Sequence, residues 1–353
     1  MSLFKIKGLL ERVYARDIPD QEDLVSLLGV SDRQDLYFIF DFADSVRMRF
    51  IGEGILLRGI VEFSNFCFRQ CSYCGLNAGN RKLKRYRLSQ EEIFESVRLL
   101  ADSGIKTVVL QSGEDQDITV GWIAQVIRRI KTDFNIAVTL SLGERPASDY
   151  QEWFACGADR YLLKIETSDR KLYASMHKGM SFDNRLECLR VLQRQGYQVG
   201  SGSIIGIPGQ SLKHIAQDII FFKSKDFDML GIGPFIPAPD TEFAHEQTTD
   251  VRLVLKTLAL ARIVTKNAHL PATTALGSLG QDYRREGLKA GANVLMPNFT
   301  PLAYRKFYSI YPGKRCLNER PGDCNSCMEQ MAVSIGRSID YTKGDSLKIK
   351  RGG

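Results

Sequence analysis

The strongest constraint on the fold is a repeated alternation of apolar runs and helical segments. Eight apolar runs have the length and composition of strands, and they cover residues 55–63, 106–111, 135–142, 159–166, 198–207, 229–236, 270–276 and 292–297. Segments with helical periodicity lie between them, for example 89–103, 182–195, 211–223, 251–266 and 281–290. The first of these helices is predicted to begin with a Ser-x-x-Glu capping box formed by Ser89 and Glu92. Eight consecutive β–α units predict an α/β fold, a complete (βα)8 TIM barrel, with a doubly wound sheet as the alternative.

The flanking segments do not follow this alternation and suggest three parts. Residues 1–52 have helical patterns and predict an N-terminal helical extension, whereas residues 53–303 form the barrel. Residues 304–353 form a short C-terminal extension that contains cysteines. The chain has 353 residues, 44% hydrophobic and 25% charged, which is ordinary for a folded protein with a large core.

Three cysteines directly follow the first predicted strand. Cys67, Cys71 and Cys74 have C-x3-C-x2-C spacing, which allows three thiolates to bind one face of a cubane iron–sulfur cluster. Such clusters usually take four Cys ligands, so one iron would stay open for a small molecule. Zinc and buried thiols are the alternatives, but zinc favours paired C-x2-C knuckles or His partners, which this segment lacks. Because the loop follows a barrel strand, we expect the cluster at the mouth of the barrel.

A second cysteine group lies near the C-terminus. Cys316, Cys324 and Cys327 have C-x7-C-x2-C spacing in a short irregular segment. They could hold a second iron–sulfur cluster, hold zinc or stay free.

Polar residues occur at the ends of several predicted strands, where a simple core would be apolar. The second strand ends in QSGED (111–115), and Thr139 and Ser141 share one face of the third. In the fourth, alternation places Arg160, Lys164 and Glu166 on one face. Charges on one face of a barrel strand are costly if they are buried unpaired, so this face is predicted to line a binding cavity. Thr273 and Thr274, in the seventh predicted strand, extend that polar cavity.

Charge and hydropathy exclude some functional classes. The net charge is +7, concentrated in residues 81–87 and 348–351, and this indicates a solvated basic surface or a docking site for an acidic partner or electron donor. No aromatic platform or helix-turn-helix pattern indicates nucleic-acid binding. No apolar run reaches the roughly 18 residues of a membrane helix and no leader pattern is evident, so we expect a cytoplasmic protein. The four histidines have no metal-binding spacing and are interpreted as surface or structural residues.

The cysteine loop, with Tyr73 before its last cysteine, resembles that of the radical S-adenosylmethionine (SAM) superfamily. Longer segments resemble the HydE family, the radical SAM maturases of FeFe-hydrogenase, in the branch that includes biotin synthase. These segments are QSGED (111–115), TLSLGE (139–144), ADRYLL (158–163), FDMLGIGPFIP (227–237), PATTA (271–275), ANVLMPN (292–298) and YPGK (311–314). The resemblance extends from about residue 63 to residue 327.

This resemblance implies site residues and cofactors. It implies a 4Fe–4S cluster on Cys67, Cys71 and Cys74, with SAM on the open iron, and makes a second cluster at the C-terminal cysteines an accessory feature. The implied SAM-binding residues are Tyr73, Gln111, Glu166 and Arg185, and the implied substrate-cavity residues are Ser112, Thr139, Arg160, Thr273, Thr274 and Tyr311. No side chain is assigned as a catalytic acid, base or nucleophile.

The family role is assembly of the diiron subcluster of the hydrogenase H-cluster, together with HydG and HydF. The resemblance implies a 5′-deoxyadenosyl radical that attacks the cysteine sulfur of an Fe(CO)2(CN)–cysteine precursor from HydG. It also implies a monomer that receives electrons from reduced ferredoxin or flavodoxin. The alternatives are a mutase similar to methylornithine synthase (PylB) and a non-enzymatic iron–sulfur scaffold or electron carrier.

Overall fold

The computed structural model describes residues 3–319 and 321–348, with the side chains of residues 321–325 outside the description. The helices are α1 Leu3–Ala15, α2 Gln21–Leu28, α3 Arg33–Ile51, α4 Gln90–Asp102, α5 Val120–Asp133, α6 Ala147–Ala155, α7 Arg170–Met176, α8 Phe182–Arg194, α9 Leu212–Lys225, α10 Val251–Thr265, α11 Arg284–Lys289, α12 Leu302–Arg305 and α13 Pro321–Val333. The strands are β1 Ile55–Leu57, β2 Gly59–Ser64, β3 Gln70–Cys71, β4 Thr107–Ser112, β5 Ala137–Ser141, β6 Arg160–Leu162, β7 His177–Lys178, β8 Gln198–Ser201, β9 Ile204–Ile205, β10 Met229–Leu230, β11 Gly233–Pro234, β12 Val294–Leu295 and β13 Ile339–Asp340.

The centre of the described fold is a parallel sheet of six strands in the order β10-β8-β6-β5-β4-β2. Parallel strands need crossover connections, and helices fill that role here, since α4, α5, α6 and α8 each lie between two strands of the sheet in the chain. The α/β fold predicted from the alternation is therefore confirmed, with strands shorter than the apolar runs that predicted them. Bridges between Met229 and His269, Pro271 and Val294, and Ile60 and Asn298 extend the parallel pairing beyond the sheet.

The predicted strand at 270–276 does not form as a regular strand. Pro271 makes an isolated parallel bridge, and Thr274–Ser278 then winds into a short 3-10 helix. Proline has no N–H to donate to a strand ladder, so pairing stops early in this segment.

Local capping explains where several helices begin. At α4, the Ser89 hydroxyl accepts from the Glu92 N–H at 3.2 Å, and the Glu92 carboxylate accepts from the Ser89 N–H at 2.8 Å. This reciprocal pair is the capping box that the sequence predicts.

Helices α1, α2 and α3 pack against α9 and α10, outside the central sheet. Helix α10 is consequently buried on nearly all sides, including Lys256, whose ammonium donates to the carbonyls of Leu28 and Val30. Helices α1, α2 and α3 form an N-terminal layer, and none of their residues lines the cavity at the carboxyl ends of the strands.

The C-terminal segment crosses the amino ends of the strands. Strand β13 pairs with β1, and the Arg160 guanidinium donates to the Lys343 carbonyl at 2.9 Å and to the Asp345 carboxylate at 2.7 Å. Because Arg160 begins β6, this contact lies at the end of the sheet opposite to the carboxyl ends of the strands. Among the described residues, no helix is long and apolar enough to cross a bilayer.

Candidate active site

A cavity of about 370 Å³ lies at the carboxyl ends of the central strands. Gln111 and Ser112 end β4, Ser141 ends β5 and Leu162 ends β6, and all four residues line the cavity. In α/β barrels and sheets this edge is where ligands bind, because the loops that follow the strands meet there.

The cysteine loop forms one wall of this cavity. Cys67, Cys71 and Cys74 all line the cavity, as does Tyr73. Strand β3 pairs antiparallel with β7, which places Cys71 opposite His177. The Tyr73 hydroxyl lies 3.3 Å from Nε2 of His177, and the two rings meet edge to face with centroids 5.6 Å apart.

Arg85 stabilises the shape of this loop. Its guanidinium donates to the carbonyls of Asn65, Leu76, Asn77 and Asn80 at 2.6 to 3.3 Å. One side chain therefore donates to four backbone acceptors of this irregular loop, of which the Asn77 carbonyl also accepts from the Asn80 N–H at 3.1 Å. Part of the basic segment 81–87, interpreted from the sequence as solvated, thus has a structural role.

The chemistry of this donor set fits an iron–sulfur cluster. Burial raises the pKa of all three thiols, and that of Cys74 to about 12. Such thiols stay protonated at neutral pH unless a metal replaces the proton, since thiolates are the form that binds metal. Three thiols on one loop facing one cavity can each bind a different iron of a cubane and leave the fourth iron exposed to the cavity.

Glu166 is held in an unusual backbone conformation beside this wall. Its φ of 63° lies in the left-handed region, which is strained for a residue with a side chain. Its N–H donates to the Gly202 carbonyl at 3.0 Å, and its own carbonyl accepts from Ile204 at 3.1 Å. Its Oε2 atom forms an ion pair with the Lys164 ammonium at 2.8 Å, and a carboxylate has further lone pairs with which it can accept a hydrogen bond from a ligand in the cavity that it lines.

Arg185 projects from α8 into the same cavity. Its Nε donates to Glu144 at 2.7 Å, and its Nη1 donates to the Lys164 carbonyl. Burial alone would lower the pKa of Arg185, but neighbouring groups, including Tyr173 and Glu144, raise it above its ordinary value. The guanidinium therefore stays charged and can pair with a carboxylate in the cavity.

The other predicted SAM and substrate residues are partly assembled at this cavity. Gln111 donates to the Tyr308 hydroxyl at 3.2 Å, and the cavity lining includes Ser112, Thr273, Thr274 and Tyr311. The Thr273 hydroxyl is buried, and the described part of the chain offers it no hydrogen-bond partner.

The structure places Thr139 and Arg160 elsewhere. They line a separate pocket of about 10 Å³ at the amino ends of the strands, next to Arg58 and His269. Arg160 begins β6, whereas Glu166 follows the end of that strand. Two residues on one face of the strand can therefore line different pockets, one at each end of the sheet. The C-terminal segment, which the strand pattern could not place, pairs with Arg160 through Asp345.

Sequence reasoning missed two features of the cavity. The Lys314 ammonium pairs with Glu62, and Asn298 donates to the same carboxylate at 3.0 Å. His177 also lines the cavity and is buried, which lowers its pKa to about 3. Neither feature has a spacing signal, since the residues meet only through tertiary contacts.

The C-terminal cysteines are only partly described. Cys316 and Cys327 line one cavity of about 330 Å³, together with the buried Arg284. The side chain of Cys324 lies outside the described residues.

Comparisons with known proteins agree with this geometry. The profile of the Radical SAM superfamily matches residues 61–222, and membership of that superfamily implies a 4Fe–4S cluster and SAM. The chain is similar to the [FeFe] hydrogenase maturase subunit HydE of Thermotoga maritima, with 44% identity over 97% of this chain and 98% of that protein. It is 27% identical to 3-methylornithine synthase of Methanosarcina acetivorans, over 88% of this chain and 87% of that protein. The crystal structure of methylornithine synthase (PylB) has a TM-score of 0.81 and 25% identity, and the match covers 94% of this chain and 97% of that one. The chain therefore belongs to the HydE family, the radical SAM enzymes that act as [FeFe]-hydrogenase maturases.

Proposed function

We propose that this enzyme cleaves SAM reductively and uses the product radical on an iron–cysteine precursor of the hydrogenase diiron subcluster. Cys67, Cys71 and Cys74 would hold a 4Fe–4S cluster, which would supply the one electron that splits SAM into methionine and a 5′-deoxyadenosyl radical. The cavity would hold an Fe(CO)2(CN)–cysteine unit made by HydG, with its cysteine sulfur as the target of that radical. The observation that carries the proposal is that three half-buried thiols, a carboxylate and a guanidinium face one cavity.

Each of these side chains has a distinct role in the proposal. Cys67, Cys71 and Cys74 bind three irons. The Glu166 carboxylate accepts from the amino group of SAM, because it lines the cavity and keeps free lone pairs beside its ion pair with Lys164. The Arg185 guanidinium pairs with the carboxylate of SAM.

The remaining cavity residues complete the SAM and substrate sites. Tyr73 lies beside the adenine, and Gln111 contacts SAM. We assign the substrate part of the cavity to Ser112, Thr273, Thr274 and Tyr311. Thr139 and Arg160 are left out of this assignment because they line the separate small pocket.

The radical chemistry is tested with anaerobically reconstituted protein, dithionite and SAM, with 5′-deoxyadenosine as the product measured. Cys71→Ser is expected to abolish product formation, because one iron loses its ligand. Cys156→Ser is the matched control, since that buried thiol lies outside the cavity. Formation of 5′-deoxyadenosine by Cys71→Ser at the rate of the unchanged protein would reject the proposal.

The substrate is tested by rescue of hydrogenase maturation in a host that lacks HydE. The similarity to methylornithine synthase supports a second candidate, a mutase that acts on an amino acid. Formation of 3-methylornithine from lysine without maturation rescue would support that mutase. A non-enzymatic electron carrier needs no open iron, so cluster spectra that do not change when SAM is added would favour a carrier over both enzymes.

The C-terminal cysteines are proposed to hold a second, accessory iron–sulfur cluster. Cys316 and Cys327 line one cavity, which supports a shared group there. A Cys316→Ser/Cys327→Ser double variant is expected to contain less iron per chain and to form 5′-deoxyadenosine within about twofold of the normal rate. Unchanged iron content would contradict the second cluster.

The architecture and partners follow the same proposal. Residues 53–303 would close into a full eight-stranded barrel, with extensions at 1–52 and 304–353, and the bridges beyond the six-stranded sheet support closure. The enzyme would act as a cytoplasmic monomer with HydG and HydF and accept electrons from reduced ferredoxin or flavodoxin. Size-exclusion chromatography with light scattering tests the monomer.

A further inference from the structure

We infer that Glu144 is a positioning residue that couples the cysteine loop to the SAM carboxylate site, an inference that rests on the proposed function. Its carboxylate contacts three side chains from two different elements. Oε1 accepts from Nε of Arg185 at 2.7 Å, and Oε2 accepts from Asn184 at 2.8 Å and from Arg69 at 3.3 Å. Arg185 and Asn184 belong to α8, whereas Arg69 lies in the cysteine loop between Cys67 and Cys71.

The four charged groups around this point alternate in sign. Glu114 accepts from Nε of Arg69 at 2.6 Å, so the order is Glu114, Arg69, Glu144 and Arg185. The side chains of Glu144 and Arg185 are 5% and 7% exposed, so they interact with little screening by water. Neutralising Glu144 would remove the carboxylate between the two guanidinium groups and leave Glu114 as the one negative charge of the four, a net charge of +1.

The contacts of Arg185 leave one edge of its guanidinium for a ligand. Glu144 takes Nε and the Lys164 carbonyl takes Nη1, while the side chain lines the cavity. A planar guanidinium held on two edges cannot rotate, so its remaining edge keeps a fixed direction toward a SAM carboxylate. Because binding and rate depend on such fixed geometry, loosening this group should weaken SAM binding.

The backbone on both sides of Glu144 is also held. The Tyr161 hydroxyl donates to the Gly143 carbonyl at 2.9 Å, and the Arg145 N–H donates to the Tyr150 hydroxyl at 2.8 Å. Both tyrosines are fully buried. Gly143 has a φ of 75°, and a Cβ there would lie 2.0 Å from the Glu114 side chain, so only glycine fits between the two acidic side chains. This turn therefore fixes where the Glu144 carboxylate can lie.

The main test compares Glu144→Gln with the unchanged reconstituted protein. Glutamine keeps the volume, but its single oxygen cannot serve both Arg185 and the Arg69–Asn184 pair. We expect the KM for SAM, measured from the rate of 5′-deoxyadenosine formation, to rise roughly 10- to 100-fold. The Kd of S-adenosylhomocysteine, measured by calorimetry, should rise by a similar factor. Faster hydrogen exchange of residues 67–74 is expected in the cluster-free protein, because Arg69 loses a partner. Glu187→Gln is the control, since it removes a half-exposed carboxylate from α8, the helix that carries Arg185.

A second variant keeps the test decisive if Glu144→Gln fails to hold a cluster. Tyr161→Phe removes the shorter of two hydrogen bonds to the Gly143 carbonyl, 2.9 Å from Tyr161 against 3.4 Å from Tyr150, but changes no charge near the cavity. It should raise the same Kd and KM in the same direction by a smaller factor. The inference is overturned if a variant that binds its cluster has the same Kd, KM and hydrogen-exchange rates as the unchanged protein. This holds for Glu144→Gln and for Tyr161→Phe. If the unchanged protein itself cannot cleave SAM, the proposed function fails instead, so the two failures are distinguishable.

Discussion

Replacing Lys314 by methionine should destabilise the protein strongly. The Lys314 ammonium pairs with Glu62, and the side chains of these residues are only 6% and 3% exposed. Methionine has a similar length but no charge, so Glu62 would remain buried with Asn298 as its one described side-chain donor. Removing one partner of a buried pair leaves an uncompensated charge and costs about 3–5 kcal/mol.

This loss converts into a measurable shift in melting temperature. Unfolding entropy is about 2.1 cal/mol/K per residue near 60 °C, or roughly 0.74 kcal/mol/K for 353 residues. A loss of 3–5 kcal/mol therefore predicts a Tm about 4–7 °C lower, measured by scanning calorimetry of the anaerobic reconstituted protein. Lys289→Met is the control, because it removes an exposed ammonium.

A double variant separates the buried charge from the loss of the lysine stem. In Glu62→Gln/Lys314→Met neither charge remains, and neutral replacement of a whole buried pair is often harmless, so the Tm should return to within about 2 °C of the unchanged protein. Two results would refute the reasoning. One is a Lys314→Met variant with the same Tm as Lys289→Met, and the other is a double variant whose Tm is as low as that of Lys314→Met or lower.

Two further predictions concern pH and cluster loading. Burial raises the pKa of Asp218 to about 7, above the roughly 3.9 of an unfolded Asp. Its bound proton therefore stabilises the fold fully below about pH 4, and this contribution is lost as the pH rises through about 7. Urea unfolding should show the stability of the unchanged protein falling from pH 5 to pH 8 relative to Asp218→Asn, and parallel pH profiles would contradict this. Gly113→Ala should reduce iron content, because its Cβ would lie 2.2 Å from the Phe66 carbonyl oxygen and 2.8 Å from Cys67. Gly121→Ala is the control, since its Cβ would have no described residue within 4 Å apart from its own helix and chain neighbours. Equal iron content in the two variants would contradict this prediction.

Spacing along the chain was sufficient for the features that depend on local order. The cysteine loop was identified from three residues within eight positions, and all three thiols line the cavity. The α4 capping box was predicted from Ser89 and Glu92 and has both hydrogen bonds. The α/β class followed from the alternation of apolar runs with helical segments, since each pattern selects its own backbone geometry.

Features that join distant parts of the chain were decided only by the tertiary structure. Glu62 meets Lys314 across 252 positions, and Arg160 meets Asp345 across 185. Arg160 and Glu166 are only six positions apart, yet Arg160 lies at the amino end of β6 and Glu166 lies beyond its carboxyl end. The C-terminal segment covers Arg160 through its contact with Asp345. The sequence by itself determined which residues can bind a cluster and which can form strands, because these properties depend on residue type and near neighbours. Which charges share a cavity depends on how loops from different strands converge, and only the packed fold sets that convergence.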